Sequence, residues 1–324
     1  MRIALPAVIS AAALAACDPA ARIVDLGGET MGTRWTVRAV LPAGLPVGAV
    51  ATAIGARLDG IVAEMSHWSP TSLLSRFNRS AAGHWTTLPP DFAHVVARGL
   101  SIAAASDGAF DPTIGRIVDL WGFGPIPVDG PPVDEAVAAA LAAAGWRRLA
   151  YRPGDRGLRQ PGGLALDLSG IAKGHAVDAV GGVLERLGVR HALVEIGGEL
   201  VGRGMRPDGE PWWVDLEVPP GCDLAPLRIA LHGLAVATSG DYRRGAHTID
   251  PRTGRAVANG VVSASVIHDD ALGADAWATA LTVSGAGQGM TLAATHGIAA
   301  RIVTRIDGET REYLTPALRA MLGD

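Results

Sequence analysis

The chain is 324 residues long, which suits one large domain or two closely packed halves. Apolar residues make up 48% of it and charged residues 19%, so it can bury a sizeable core and is not an intrinsically disordered chain. A formal net charge of −4, from 28 basic and 32 acidic residues, gives no broad basic field and argues against nucleic acid as a partner.

Taken in chain order, the first feature is a run of fourteen uncharged, mostly apolar residues from Ile3 to Ala16, after Arg2. It is too short for a membrane span of roughly 20 residues and suits the apolar region of a secretory signal. The run ends in Leu14-Ala15-Ala16-Cys17, which resembles a bacterial lipobox. Residues 1–16 are therefore read as a lipoprotein signal peptide and 17–324 as the mature domain, lipid-anchored through Cys17, with an ordinary export signal or a buried helix as the alternatives. Asp18 resembles the signal that retains a lipoprotein at the inner membrane, so the expected location is the periplasmic face of that membrane. Cys17 and Cys222 are the only cysteines, and lipidation of the first leaves no pair for a disulfide within the chain.

Arg34 to Leu41 alternates apolar and polar positions and predicts a strand. Helical spacing follows over Val47–Ser66, Asp91–Ser106 and Asp134–Ala144, the last stopped by Gly145. Leu164–Leu168 reads as a short strand entering Ser169-Gly170, with a helix over Ile171–Leu187 closed by Gly188. Strands are predicted at Ala192–Ile196, Trp212–Val218, Leu227–Leu231, Leu234–Thr238, Val261–Ile267 and Ile298–Arg305, with one helix over Ala274–Val283. Helices and strands are segregated rather than alternating, which predicts an α+β fold with mixed, largely antiparallel sheets and flanking helices.

The common nucleotide and hydrolase signatures are missing: the sequence contains no G-x-G-x-x-G, no P-loop, no H-E-x-x-H, no C-x-x-C and no G-x-S-x-G. Three constellations remain. Asp167-Leu168-Ser169-Gly170-Ile171-Ala172-Lys173-Gly174 is a turn of small residues opening a helix, where backbone amides, the helix dipole and an ammonium favour a phosphate. A plain helix cap with Asp167 as turn former reads equally well. Lys173 is the only lysine beside 27 arginines, which marks a place where a compact ammonium matters or a chance survivor. Asp275 and Thr279 fall one helical turn apart, a carboxylate and a hydroxyl suited to a hard cation such as Mg²⁺, or else an exposed acid at a helix start. His247 lies among Thr248, Asp250, Arg243 and Arg244, where an imidazole can take a proton near neutral pH or be merely structural. Gly108-Ala109-Phe110-Asp111 and Trp121-Gly122-Phe123-Gly124 suit a flat ring.

Together these pieces resemble the ApbE family of FAD:protein FMN transferases. The resemblance runs through Met31-Gly32-Thr33, Met65 to Pro70, Leu74 to Asn78, Gly108 to Pro112, Asp167 to Gly174 and Val194 to Glu199. It continues through Ala237 to Arg244, His247 to Gly254 and Ala274 to Ala280. It implies transfer of FMN from FAD to a Thr or Ser hydroxyl of an acceptor protein in respiratory or electron-transfer subunits, with release of AMP. Met31, Trp68, Ala109, Phe110, Asp111, Asp167, Lys173 and His247 are then implied as FAD contacts, and Gly170 through its carbonyl, Asp275 and Thr279 as Mg²⁺ ligands. His247 becomes the expected general base. An FAD pyrophosphatase and a non-catalytic FAD-binding lipoprotein are the rival readings. The family usually has a longer insertion between Tyr242 and His247, so either His247 arrives by a tighter turn or that edge of the site differs.

Overall fold

The computed structural model describes residues 2–4, 22–240 and 247–323. The signal-like run from residue 5, Cys17, Asp18, Arg243 and Arg244 lie outside the described residues.

Eight strands make the central sheet: β1 (Ile23–Thr30), β2 (Thr33–Val40), β3 (His191–Ile196), β4 (Glu199–Arg203), β5 (Leu234–Ser239), β6 (Val261–His268), β7 (Ala299–Ile306) and β8 (Glu309–Leu314). Each pairs antiparallel with the next, so their order across the sheet is their order in the sequence. Alternate residues of a strand point to opposite faces, and both faces are covered. Val194, Ile196, Ala235, Ala237, Ala300 and Ile302 turn toward one core. Val236, Ile267, Ala299 and Leu314 turn toward the other.

The larger core packs α1 (Val47–Met65), α2 (Pro90–Ala105), α3 (Ala172–Arg186) and α4 (Ala271–Thr295) around and against the sheet. α1 to α3 arrive in one long excursion between β2 and β3, and α4 is the crossover between β6 and β7. The second face is covered by the antiparallel pair Trp212–Leu216 and Leu227–Leu231 and by a helix over Pro316–Leu322. The strand described at Arg2–Ala4 lies parallel to Leu227–Leu231, which thus sits in the middle of three strands. Trp212 is buried there with its indole N–H donating to the Arg203 carbonyl at 2.9 Å, which satisfies its one polar group.

Two sequence expectations are corrected. Leu164–Leu168 is not a strand: Ala165 makes a single parallel bridge to Ile114. The reason is that the Asn78 side chain takes the ladder groups of Leu166, accepting from its N–H at 2.8 Å and donating to its carbonyl at 2.9 Å. Second, α4 is far longer than Ala274–Val283. It starts at Ala271 because Asp270 caps it, accepting from Gly273 N–H, while Asp178 accepts from the amides of Ala271 and Leu272 at 2.9 Å each. It continues to Thr295 across a kink where Gly285 takes φ 73°. No helix among the described residues is long and apolar enough to cross a membrane.

Candidate functional site

Asp167 shapes the turn before α3. Its Oδ1 accepts from the Ser169 amide at 3.0 Å and from the Ser169 hydroxyl at 2.6 Å, the turn-forming habit of a short carboxylate side chain. His67 Nδ1 lies 3.5 Å from the same oxygen. Gly170 then passes so close to α4 that a Cβ on it would stand 3.0 Å from Thr279 Oγ1 and 3.4 Å from the Phe110 ring. Several amides at this helix start are engaged within the chain. Ala172 N–H donates to the Leu168 carbonyl, Gly174 N–H to Asp275 and His175 N–H to the Ile171 carbonyl. The cationic element left at this turn is the Lys173 ammonium.

The two motifs that the sequence separates by a hundred residues meet where α3 crosses the start of α4. Gly174 makes the crossing possible, since a Cβ there would come within 2.1 Å of the Ala271 carbonyl oxygen. Its N–H donates to Asp275 Oδ2 at 3.0 Å, and Lys173 Nζ stands 3.9 Å from Asp275 Oδ1. Asp275 is only 5% exposed, so the reading of an exposed acid at a helix start is overturned. Burial pushes its carboxyl above the usual range, opposed by the Lys173 charge and the Gly174 amide.

Lys173 also pairs with Glu199, which the sequence quoted within a motif without giving it a role. Glu199 opens β4 directly after the two-residue turn Gly197-Gly198, whose φ values of 64° and 104° require glycine or something close to it. Burial raises its carboxyl to about 7 against the pull of the Lys173 charge. Met31 and Gly32 form the neighbouring turn, between β1 and β2, at φ 50° and 69°. Gly197 packs on Thr33, which places Met31 at the same end of the sheet as Glu199.

The other implied contacts divide in two. Ala109 and Phe110 are buried, with Phe110 packed beneath Gly170, so they form a floor rather than an open stacking face. Asp111 accepts from Thr113 N–H at 2.8 Å and hydroxyl at 2.6 Å, and from Trp146 N–H at 3.0 Å. It borders a cavity of about 310 Å³ shared with Gly108, Trp146, Arg147 and Arg252. Arg252 brings in the segment after His247, and it is held by a bidentate pair with Asp250 at 2.9 Å. His247 meets the Phe123 ring edge-on, with centroids 6.4 Å apart, while Trp121 donates its indole N–H to the Gly254 carbonyl at 2.7 Å. Trp68 is 61% exposed with its ring against His67. Sequence reasoning missed Glu199, His67, Trp146 and Arg252. The double glycine ahead of Glu199 was the available signal for the first.

The residues that could hold a cation are hard oxygen donors: the Asp275 carboxylate, the Thr279 hydroxyl and the carbonyl of Gly170 packed against it. Among the described residues no three His, Cys, Asp or Glu side chains are grouped to hold a metal. A cation here therefore depends on one carboxylate, neutral oxygens and oxygens brought by a bound ligand. That donor set fits Mg²⁺ shared with a diphosphate.

Residues 31–302 match the family model described as the ApbE family. The chain is 34% identical to the FAD:protein FMN transferase of Vibrio cholerae serotype O1, over 99% of both chains. It is 33% identical to that of Klebsiella pneumoniae, over 95% of this chain and 94% of the other. Among solved structures, the apo form of Pseudomonas stutzeri flavinyl transferase ApbE superposes with a TM-score of 0.88 at 36% identity, covering 94% of this chain and 98% of that one. The flavin transferase ApbE of Vibrio cholerae superposes at 0.85 with 33% identity, covering 93% and 99%.

Proposed function

The chain belongs to the ApbE family, and on that premise we propose that it is a flavin transferase that moves FMN from FAD to a Ser or Thr hydroxyl of an acceptor protein and releases AMP. The observation that carries this reading is the meeting of Lys173 and Asp275, 3.9 Å apart, from two distant motifs. An ammonium and a buried carboxylate at one point, beside a hydroxyl and a tight glycine, suit a diphosphate held together with a cation.

Lys173 would face the diphosphate and offset its charge, and Asp275, Thr279 and Gly170 would hold Mg²⁺. Bound there, Mg²⁺ supplies Lewis acidity to the diphosphate oxygens and stabilises the charge of the departing group. His247 takes the proton from the acceptor hydroxyl as its oxygen forms a bond to the FMN phosphorus. The bond from that phosphorus to the bridging oxygen breaks, and AMP leaves with the electron pair. Met31, Trp68 and Asp111 line the approach for the two ring systems, and Ala109, Phe110 and Asp167 support them. The acceptors are periplasm-facing segments of respiratory or electron-transfer subunits, reached from a lipid anchor at Cys17.

Incubation of the full chain with FAD, Mg²⁺ and such a subunit is expected to add the mass of one FMN to the acceptor. Free FMN without a labelled acceptor points to hydrolysis instead, and unchanged FAD overturns both. His247→Ala is expected to slow transfer about 100-fold or more while FAD binding persists, since a general base contributes roughly 10² to 10⁴ in rate. A wild-type transfer rate in that variant removes His247 from the mechanism.

A further inference from the structure

We propose that Glu199 is a positioning residue that holds the Lys173 ammonium off Asp275 and so reserves the Asp275 carboxylate for a divalent cation. The inference rests on the cation reading above.

Glu199 is 3% exposed, and its Oε2 has no hydrogen-bond partner among the described residues. A buried carboxylate with one oxygen unsatisfied is costly, and a neutral side chain in its place would avoid that cost. What the carboxylate does is visible in the geometry. Its Oε1 takes the Lys173 ammonium, while Asp275 Oδ1 stands 3.9 Å from that nitrogen, beyond hydrogen-bond reach. Asp275 keeps Oδ2 fixed by the Gly174 amide, which leaves Oδ1 as the oxygen facing Lys173. Without Glu199, the ammonium is free to close the 3.9 Å gap to Asp275 Oδ1, and a direct pair would occupy the oxygen a cation needs. The same geometry explains a lysine in a chain that otherwise uses arginine. A guanidinium fork would engage a carboxylate through two nitrogens, whereas a single ammonium can be drawn to one side.

A protein with one lysine, labelled with ¹⁵N-lysine, has one side-chain ammonium signal, which reports on Lys173 without metal or FAD. Glu199→Asp keeps the charge but shortens the reach. It is expected to move that signal and to weaken Mn²⁺ binding, measured without FAD, by about 10-fold to 100-fold, the usual cost of losing an outer partner of a metal ligand. An unmoved signal, or wild-type Mn²⁺ affinity in Glu199→Asp, overturns the proposal. Lys173→Met combined with Glu199→Gln leaves nothing to compete for Asp275 and is expected to bind Mn²⁺ nearly as the wild type does. Binding as weak in this double variant as in Glu199→Gln alone overturns it too. A wild-type protein that binds no Mn²⁺, alone or with FAD, instead defeats the cation reading on which the proposal stands.

Discussion

His175 shows how much a single side chain can set the conditions under which this protein stays folded. It is buried on α3, with Nε2 3.7 Å from Asp91 Oδ1 and its ring 6.0 Å from that of His94. Burial lowers it from 6.5 to about 4, with Asp91 opposing and Arg57 and His94 reinforcing the fall. A folded-state value below the unfolded one means that its contribution is complete above pH 6.5 and is lost as pH falls toward 4. The shift corresponds to about 3 kcal/mol at most. His175→Gln is expected to flatten that part of the stability profile, and denaturant unfolding at pH 7 and pH 4.5 would check it. An unchanged profile would place the acid sensitivity elsewhere. Among single residues, Lys173 stood out in the sequence as the only lysine, Asp275 by its spacing of one turn from Thr279, and His247 by its polar neighbours. Glu199 was not, because its meaning depends on a partner on another element and on burial, and neither has a local signature.

At the scale of elements, the site depends on two helices that approach within backbone contact at Gly174. Gly174→Ala would force a Cβ to within 2.1 Å of the Ala271 carbonyl oxygen, so α3 and α4 must separate. The expected cost is about 1–3 kcal/mol or more, typical of overpacking. Activity should fall further than stability, because Lys173 and Asp275 ride on the two helices that move. Equilibrium unfolding together with steady-state transfer rates would show it; equal activity in Gly174→Ala would mean that the crossing does not set the geometry. The sequence located α1, α2 and α3 within a residue or so because their apolar spacing is clear. It misplaced the ends of α4, whose capping by Asp178 comes from another helix. It also mistook Leu164–Leu168 for a strand, because an apolar run cannot reveal that Asn78 will take its backbone groups.

For the whole molecule, the β2–β3 excursion meets α4 at Lys173 and Asp275 and meets the β5–β6 connection at the cavity of Asp111 and Arg252. A ligand bound there ties distant parts of the chain together. FAD with Mg²⁺ at about a hundred times its dissociation constant is expected to add about 2.7 kcal/mol to unfolding stability. That gain should appear as a raised Tm in the wild type and should be much smaller in Asp275→Asn. A similar rise in both would detach Asp275 from the ligand. The α+β class and the antiparallel pairing were legible from segregated patterns of period two and 3.6. The order of the strands was not, since no local signal tells β2 that its partner lies beyond a long run of helices.

That last pairing governs how the chain reaches its native state. Trp35 must find Ile196 across the whole excursion before the two halves of the sheet can join. Contacts of such long sequence separation slow folding, because loop entropy is lost before the pairing rewards it. A polypeptide built this way joins its sheet late, after the local contacts within the intervening helices have formed.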